Sequence, residues 1–334
     1  LDVPEMGTRY YTLAFMDLYA KPHHLGTRTN GGRATKYALV GPSGGDVPAG
    51  YEVFRLPTDT AWMLGRLLAD GKADEKRVIS IAKTFQMRGP VATDVTAAAP
   101  MNPYASLDYF TLLNGALRTL PPLADEAALM ATFDKAGFGP KAQFAPNKLP
   151  PAQALGLGCA VRIGNEVLAK QGFKPTSVAN GWMRNNRMDK PGHDYVLRAE
   201  AVRGGYVNAE EESIYPAAVM DNKGEMFDGK RQYRIRFEAG KLPPVGAFWS
   251  ITAYDLATAK LVPNKIGRYQ FGDRTKGVKY GKDGSLTITL SATPPKEGTS
   301  NWLPTPEGGY HLVTRMYLPK PEALDGRYVL PPVE

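Results

Sequence analysis

The fold class of this chain is indicated most clearly by the stretch Arg234-Ile-Arg-Phe-Glu-Ala-Gly-Lys-Leu-Pro-Pro-Val-Gly-Ala-Phe-Trp-Ser-Ile-Thr-Ala-Tyr-Asp255. It begins with residues 234–237, in which basic and apolar residues alternate, and it ends with residues 248–254, which are rich in aromatic and β-branched residues. Both runs have the period and the composition of β-strands. Because Pro243 and Pro244 separate them, the stretch predicts strand, turn, strand.

The same pattern of a short apolar run followed by a turn extends in both directions, over residues 212–319. Residues 286–290 and 311–317 are further predicted strands. Residues 221–224 and 282–284 end in glycine and are predicted hairpin turns. Regularly spaced short strands with such turns predict a β-sandwich or jelly roll.

Residues 1–56 also predict strands, at 9–17, 37–40 and 51–55, whereas residues 57–193 change to the 3–4 residue spacing of helices. The chain is therefore predicted to be mainly β with a helical insert, an α+β fold. It divides into an N-terminal β-sandwich domain at 1–56, a helical insert and connection at 57–193, and a C-terminal jelly-roll-like β-sandwich domain at 194–334. Helices are predicted at 58–68, begun by Thr58 or Asp59, and at 74–84, 106–119, 124–136, 152–170 and 194–203.

Length and charge narrow the class of protein. A chain of 334 residues is long enough for about two domains with cores of their own. The net charge is +8, but the 41 basic residues are spread along the chain and no zinc-finger, homeodomain-like or ribonucleoprotein motif accompanies them. Nucleic acid is therefore not an expected partner. No uninterrupted apolar run reaches the length of a membrane span.

Several chemistries lack their motifs. Cys159 is the single cysteine, so no internal disulfide or cysteine zinc site can form, and its apolar neighbours predict a buried small hydrophobe. His23 and His24 are adjacent, but a metal site is not expected, since there is no His-Glu-x-x-His and no EF-hand loop. No cofactor is expected, because no P-loop and no Gly-x-Gly-x-x-Gly is present. A nucleophile elbow is also missing.

Short motifs that occur in one order along nearly the whole chain resemble the bacterial family with paired domains of unknown function 1254 and 1214. The N-terminal motifs include Gly7-Thr-Arg9-Tyr-Tyr11, Gly26-Thr-Arg28-Thr, Tyr37-Ala-Leu-Val-Gly-Pro42 and Trp62-Met-Leu-Gly-Arg66. The C-terminal motifs include Tyr215-Pro216, Phe248-Trp249-Ser250, Arg268-Tyr269, Asn301-Trp302-Leu303-Pro304 and Arg315-Met-Tyr-Leu-Pro319.

The resemblance implies two jelly-roll-like antiparallel β-sandwiches with helices between them. The C-terminal module is similar to the fold of glycan-releasing amidases, but a fold does not define a function, and the family has no agreed activity. Family members have a further segment before the position of Leu1, which predicts either processing or truncation here. The resemblance favours an exported bacterial protein, periplasmic or secreted.

Two carboxylates at strand ends, Asp17 and Glu212, are the candidate catalytic residues, because hydrolysis by general acid and base catalysis uses such a pair. The alternative is that each caps a turn or forms a salt bridge. Aromatic, arginine and amide side chains in the motifs predict a substrate-binding surface through stacking and planar hydrogen bonding. The candidate binding residues are Tyr19, Arg28, Asn264, Arg268, Tyr269, Asn301 and Trp302. Trp249 and Tyr254 belong to the same set, but the alternating strand favours a core position for Trp249, and Trp302 suits a core equally well.

Three functions follow from these residues, and the sequence does not decide whether the protein is an enzyme. The first is a hydrolase for a carbohydrate-like or amide-linked small substrate in a cleft between the two domains, with Asp17 or Glu212 as acid and base, and Arg28 and Arg268 on an anionic group. The second is a non-catalytic module that binds a glycan or an anionic ligand. The third is a structural protein that forms a homo-oligomer through its sheet edges.

Overall fold

The computed structural model describes residues 1–89, 107–119, 123–171, 174–203 and 207–334, which form a mainly β, α+β fold, as predicted. The strands are β1 (Asp2–Val3), β2 (Tyr11–Met16), β3 (Pro22–Gly26), β4 (Thr35–Val40), β5 (Glu52–Arg55), β6 (Trp62–Leu67), β7 (Ser177–Ala179), β8 (Trp182–Arg184), β9 (Ser213–Ile214), β10 (Ala217–Ala218), β11 (Tyr233–Phe237), β12 (Val245–Asp255), β13 (Phe271–Gly272), β14 (Leu286–Ser291), β15 (Trp302–Pro304) and β16 (Tyr310–Pro319). The helices are α1 (Thr27–Asn30), α2 (Glu75–Ala82), α3 (Asp108–Thr119), α4 (Ala127–Lys135), α5 (Pro151–Gln171), α6 (Tyr195–Arg203) and α7 (Pro321–Leu324).

The chain divides into two compact units, each built from separate segments. The first contains Leu1, Lys36–Ala61 and Gln86–Phe173, and the second contains Asp2–Thr35, Trp62–Phe85 and Lys174–Glu334. The domain boundaries and the pair of jelly rolls expected from the sequence stay predictions.

The first unit contains the longest helices and a small aromatic core. Phe110 of α3, Leu157 of α5 and the loop residue Phe138 are buried together. The Asn114 side chain, also buried, donates to the Gly139 carbonyl and so ties α3 to this loop. The predicted helices at 124–136 and 152–170 are confirmed as α4 and α5 of this unit, and those at 74–84 and 194–203 are confirmed as α2 and α6 of the second unit. The helix predicted at 106–119 is α3, which begins at residue 108; residue 106 lies outside the described residues.

The helices of the described residues include partly exposed ones, such as α5. Cys159 of α5 is half-buried, so the prediction that it is buried was wrong; around it α5 leaves much of its surface to solvent. In the described part of the chain no helix is both long and apolar enough to cross a membrane.

A seven-stranded sheet dominates the second unit. Its strand order is β13-β12-β16-β10-β8-β7, and β9 also pairs with β16. β12 and β16 form the central antiparallel pair, which runs from Phe248 opposite Tyr317 to Asp255 opposite Tyr310. The even-numbered residues of β16 from 310 to 316 are buried, whereas the odd-numbered ones are half-buried. The sheet therefore has a core face and a second, more polar face.

A smaller sheet with the order β11-β14-β15 shares the core of this unit. β11 alternates as predicted: Tyr233, Ile235 and Phe237 are buried, and the arginines between them are exposed. One hydrophobic cluster combines residues of both sheets, including Trp249 and Leu312 of the larger one. The alternative that Trp249 and Trp302 belong to a core is confirmed, since both are almost fully buried.

A third sheet, β3-β2-β6, replaces the helix that the sequence predicted at residues 58–68. Here the prediction was wrong, because Trp62–Leu67 is a strand that pairs antiparallel with Tyr11–Met16. The spacing of apolar residues fitted a helix, but Gly65 disfavours a helix interior by about 1 kcal/mol. Gly65 instead lies opposite Leu13, where an added side-chain carbon would stand 3.2 Å from a Leu13 methyl group.

Candidate functional site

A fully buried carboxylate, Glu212, is the centre of the candidate site. It lies directly before β9, and its carbonyl accepts a hydrogen bond from the Leu318 amide at the end of β16. Its two carboxylate oxygens have different partners: Oε1 accepts from the Tyr10 hydroxyl at 2.7 Å, and Oε2 accepts from Arg28 Nε at 3.0 Å. A buried carboxylate needs such partners, because removing its charge from water is otherwise costly.

Arg28 owes its position to a single helical turn. The turn follows β3 directly, and Gly26 at the junction approaches β2 so closely that an added Cβ would lie 2.5 Å from the Tyr11 carbonyl oxygen. Gly31 ends the turn in the left-handed conformation, with φ at 67°. The Arg28 side chain is 37% exposed, and within the described residues its two terminal amino groups make no hydrogen bond. Glu212 therefore orients a guanidinium whose outer edge faces solvent.

Tyr10 connects Glu212 to an aromatic group on the polar face of the large sheet. Its ring packs edge-on against Phe248 and Tyr317, with centroids 5.4 and 5.5 Å away. Phe248 and Tyr317 stack on each other at 4.4 Å. Burial and then the neighbouring Glu212 charge raise the pKa of Tyr10 far above its ordinary value. Tyr10 therefore keeps its proton and donates a hydrogen bond to Glu212.

One face of the β3-β2-β6 sheet supports the loop that leads to Glu212. Thr12 pairs with both Gly26 and Arg66, and His24 lies two residues from Gly26, so Thr12, His24 and Arg66 share a face. His24 Nε2 accepts from the Ala209 amide at 3.1 Å, and Arg66 donates to the Asn208 side chain at 3.3 Å.

His24 is a neutral imidazole in this setting. Burial, then the charges of Arg28 and Arg66, lower the pKa of His24 to about 4. Because Nε2 accepts the Ala209 N–H, the ring proton is on Nδ1, which lies 3.0 Å from the Thr12 hydroxyl oxygen. The ring therefore fixes the loop before Glu212 without adding charge.

Arg315 adds a third guanidinium on the polar face of β16. It donates to the Thr252 hydroxyl at 3.1 Å and to the Tyr254 hydroxyl at 2.7 Å, both on β12. Burial raises the pKa of Tyr317 to about 12, against the opposing effect of Arg315 and Arg66, so both arginines act electrostatically on this tyrosine. Arg66 likewise acts on His24 together with Arg28. Arg66 therefore acts on one group together with Arg28 and on another together with Arg315, and the Glu211 carboxylate adds a negative charge near Arg28 and His24.

The backbone beside Glu212 is irregular. Leu318 has φ of 52°, which a leucine rarely adopts. The β12–β16 register shifts between Val245 and Phe248, and an added Cβ on Gly246 would lie 3.3 Å from the Leu318 side chain. Such bulges and strained residues often occur next to functional sites, where they redirect side chains.

Among the residues predicted from the sequence, the structure brings Glu212 and Arg28 together. Asp17 instead shapes the turn after β2: it accepts from the amides of Tyr19 and Lys21 at 2.8 and 2.9 Å, and it lies 3.0 Å from His23 Nε2. Burial raises the pKa of Asp17, but these hydrogen bonds outweigh burial and lower it overall. His23 and His24 are neighbours on β3, so their rings lie on opposite faces.

Four other predicted binding residues use their polar groups within the protein. Arg268 donates to the carbonyls of residues 299, 300 and 302, and the Asn264 side chain bonds to the backbone at residue 268. The Asn301 amide bonds to the backbone of Lys279 and residue 287. The Trp302 indole donates to the carbonyl of residue 291. Tyr19 is half-buried and Tyr269 is exposed. Ligand roles for these six stay predictions.

Tyr10, His24, Arg66 and Arg315 were not predicted as site residues from the sequence. Tyr10, Arg66 and Arg315 belong to motifs that support the family resemblance. Their place within those motifs was a signal that could have identified them, but a single sequence does not reveal that they meet at one place.

Comparison with protein-family models gives two matches. Residues 1–89 match "Protein of unknown function (DUF1254)", and residues 212–321 match "Protein of unknown function (DUF1214)". Glu212 is the first residue of the second match, and the other residues of the candidate site fall within the two matched ranges, except Asn208 and Ala209. No curated protein matches the chain.

Two solved structures resemble the chain. The VPA0106 protein from Vibrio parahaemolyticus matches over 100% of this chain and 84% of its own length, with 23% identity and a TM-score of 0.72. A putative uncharacterized protein from Burkholderia cenocepacia matches over 100% of this chain and 71% of its own, with 13% identity and a TM-score of 0.43. The first similarity supports the fold alone.

Proposed function

We propose that this chain, which belongs to the bacterial family that pairs the domains of unknown function 1254 and 1214, binds a small anionic ligand at Arg28. The descriptions of these two domains state no activity, so the proposal is based on the geometry of the chain itself. The main support for this proposal is the hydrogen bond by which Glu212 holds Arg28. A fully buried carboxylate holds the guanidinium by Nε and leaves its two terminal amino groups toward solvent. A guanidinium so oriented is prepared for two parallel hydrogen bonds to a carboxylate or phosphate.

The charge around Arg28 supports an anionic ligand. Arg28, Arg66 and Arg315 carry three positive charges. Within the described residues, Arg28 pairs with the Glu212 carboxylate, and the other two arginines have no carboxylate partner. Arg66 and Arg315 are bound to neutral groups, and the nearby Glu211 is paired with Lys190, so the region keeps a positive excess. A positive excess lowers the free energy of an anion that enters.

The aromatic residues suggest that the ligand has an apolar part beside its charge. Phe248 and Tyr317 are half-buried rather than sealed in the core, and they stack beside Tyr10, which reaches Glu212. Aromatic faces bind the carbon skeleton of a ligand, while the guanidinium fixes its charged end.

Binding is better supported than hydrolysis. Hydrolysis by two carboxylates requires one that can donate a proton and one that can accept it. Both oxygens of Glu212 already accept hydrogen bonds, and the pKa of Asp17 is lowered, so Asp17 is no proton donor at neutral pH. The hydrolase with Asp17 and Glu212 as acid and base stays a prediction, which turnover of a bound ligand would favour.

Replacing Arg28 with alanine is expected to weaken the binding of succinate and inorganic phosphate about tenfold or more, the usual effect of losing a charge-assisted bidentate contact. Arg66→Ala is expected to weaken it by a smaller factor while leaving Glu212 paired. Isothermal titration calorimetry with both probes measures these changes. Arg327→Ala is the matched control, since Arg327 is an exposed arginine paired with Asp325.

Two results would contradict the proposal. One is that the wild-type protein binds neither probe. The other is that Arg28→Ala, shown by circular dichroism to be folded, binds as tightly as Arg327→Ala does.

A further inference from the structure

A second concave surface lies on the outer side of the β11-β14-β15 sheet, on residues that the proposed function does not use. It is an open groove with a volume of about 570 Å³, within the usual range of ligand sites. Its lining is almost entirely polar or charged: Arg234, Arg236, Lys279, Thr287, Thr289, Glu297, Gly298, Ser300, Asn301 and Glu334.

The floor of the groove is a regular array of side chains on two paired strands. Arg234 lies opposite Thr289, and Arg236 lies opposite Thr287, in the antiparallel register of β11 and β14. Because the residues between them face the core, these four side chains share the outer face. The floor therefore presents two guanidiniums beside two hydroxyls.

The wall of the groove is held firmly by residues behind it. Arg268 donates to the three carbonyls of residues 299, 300 and 302, and burial lowers its pKa. Asn301 bonds to the backbone of Lys279 on one side and of Thr287 on the other. These contacts fix the loop at 297–302 against β14. Ligand binding to a fixed wall costs less conformational entropy than binding to a free loop.

The arginines of the floor form only solvent-exposed ion pairs. Arg234 pairs with Glu297 of the wall at 3.0 Å, and both side chains are more than half exposed. Arg236 pairs with Asp283 and Glu238. Exposed pairs of this kind contribute about 0–1 kcal/mol. An incoming carboxylate can therefore replace Glu297 on Arg234 at small cost.

From this construction we infer that the groove binds an acidic oligosaccharide, one whose sugars carry both hydroxyl and carboxylate groups. The hydroxyls of the ligand match Thr287, Thr289 and Ser300, and its carboxylates match the arginines of the floor. The three basic residues of the lining outnumber its two acidic ones, Glu297 and Glu334. The lining of the groove contains no aromatic side chain. A neutral sugar would therefore lack stacking, so the ionic hydrogen bonds have to supply the affinity.

Binding of a short galacturonate oligosaccharide, measured by calorimetry, tests the inference. Arg234→Ala is expected to weaken binding roughly tenfold, and Glu297→Gln is expected to strengthen it about threefold, because it releases Arg234 from its internal partner. The neutral control is a cello-oligosaccharide of equal length, for which weak or undetectable binding is expected. Arg327→Ala again serves as the matched control.

The outcomes separate this site from the site at Arg28. Binding that Arg28→Ala leaves intact and Arg234→Ala weakens supports the groove, whatever the result with succinate. Equal binding by Arg234→Ala and Arg327→Ala overturns the inference, as does binding lost in Arg28→Ala but kept in Arg234→Ala. Failure of the wild-type protein to bind the galacturonate also overturns it.

Discussion

Replacing Glu212 with alanine is expected to lower the free energy of unfolding by about 3–4 kcal/mol, in the lower part of the roughly 3–5 kcal/mol that a buried ionic pair loses with one partner. The variant leaves the buried Tyr10 hydroxyl without its acceptor and Arg28 Nε without its carboxylate. Arg28 is partly exposed and can recover some hydration, whereas Tyr10 is 4% exposed and cannot.

Denaturant unfolding of Glu212→Ala and Glu211→Ala provides the comparison. Glu211 is the adjacent residue, and its half-exposed side chain pairs with Lys190 at 3.0 Å. Its replacement is expected to change stability by about 0.5 kcal/mol or less. Equal losses in the two variants would mean that Glu212 has no special role in the fold. Glu212→Gln should lie between them, since an amide can still bond to Tyr10.

Protein stability is expected to fall between about pH 6.5 and pH 4 because of His24. The pKa of His24 is lowered from 6.5 to about 4 in the folded protein. In this interval His24 is protonated in the unfolded chain but stays neutral in the folded chain. The contribution of neutral His24 to the free energy of unfolding is therefore fully present above pH 6.5 and is lost as the pH falls toward 4. The total loss is about 3 kcal/mol.

Unfolding at a series of pH values, with His24→Gln as the comparison, measures this contribution. Glutamine does not titrate, so the variant should lose most of the slope between pH 6.5 and pH 4. The lowered pKa of Asp17 acts in the same direction, but its effect begins near pH 4 and continues below it, which separates the two residues. Equal slopes in the wild-type protein and the variant would show that His24 is not buried as a neutral ring.

The strands of the second unit were predictable because local sequence and tertiary environment agree. In β11 the arginines at 234 and 236 alternate with buried residues. Such a two-residue period indicates a β-strand with one face buried and one face exposed. The same holds for β16. The strand at Trp62–Leu67 was not predictable from its own residues, because its pairing with β2 decides its structure and pairing is not visible locally.

The candidate site was predictable only in pieces. Glu212 and Arg28 were each identified as polar residues within motifs, but the hydrogen bond between them joins positions 184 residues apart. A single sequence contains no signal for such a contact. Arg268 and Asn301 were also identified from their residue types, yet the structure uses both to hold the wall of the groove. Residue type indicates a polar role, whereas only geometry separates a ligand contact from a support.

A crystal structure of the protein soaked with succinate shows directly whether Arg28 binds a carboxylate. We expect a carboxylate of succinate to form two parallel hydrogen bonds, of roughly 2.7–2.9 Å, with the terminal amino groups of Arg28, while Glu212 keeps its bonds to Arg28 Nε and Tyr10. Succinate bound elsewhere, with the outer edge of Arg28 in contact with water alone, would contradict it.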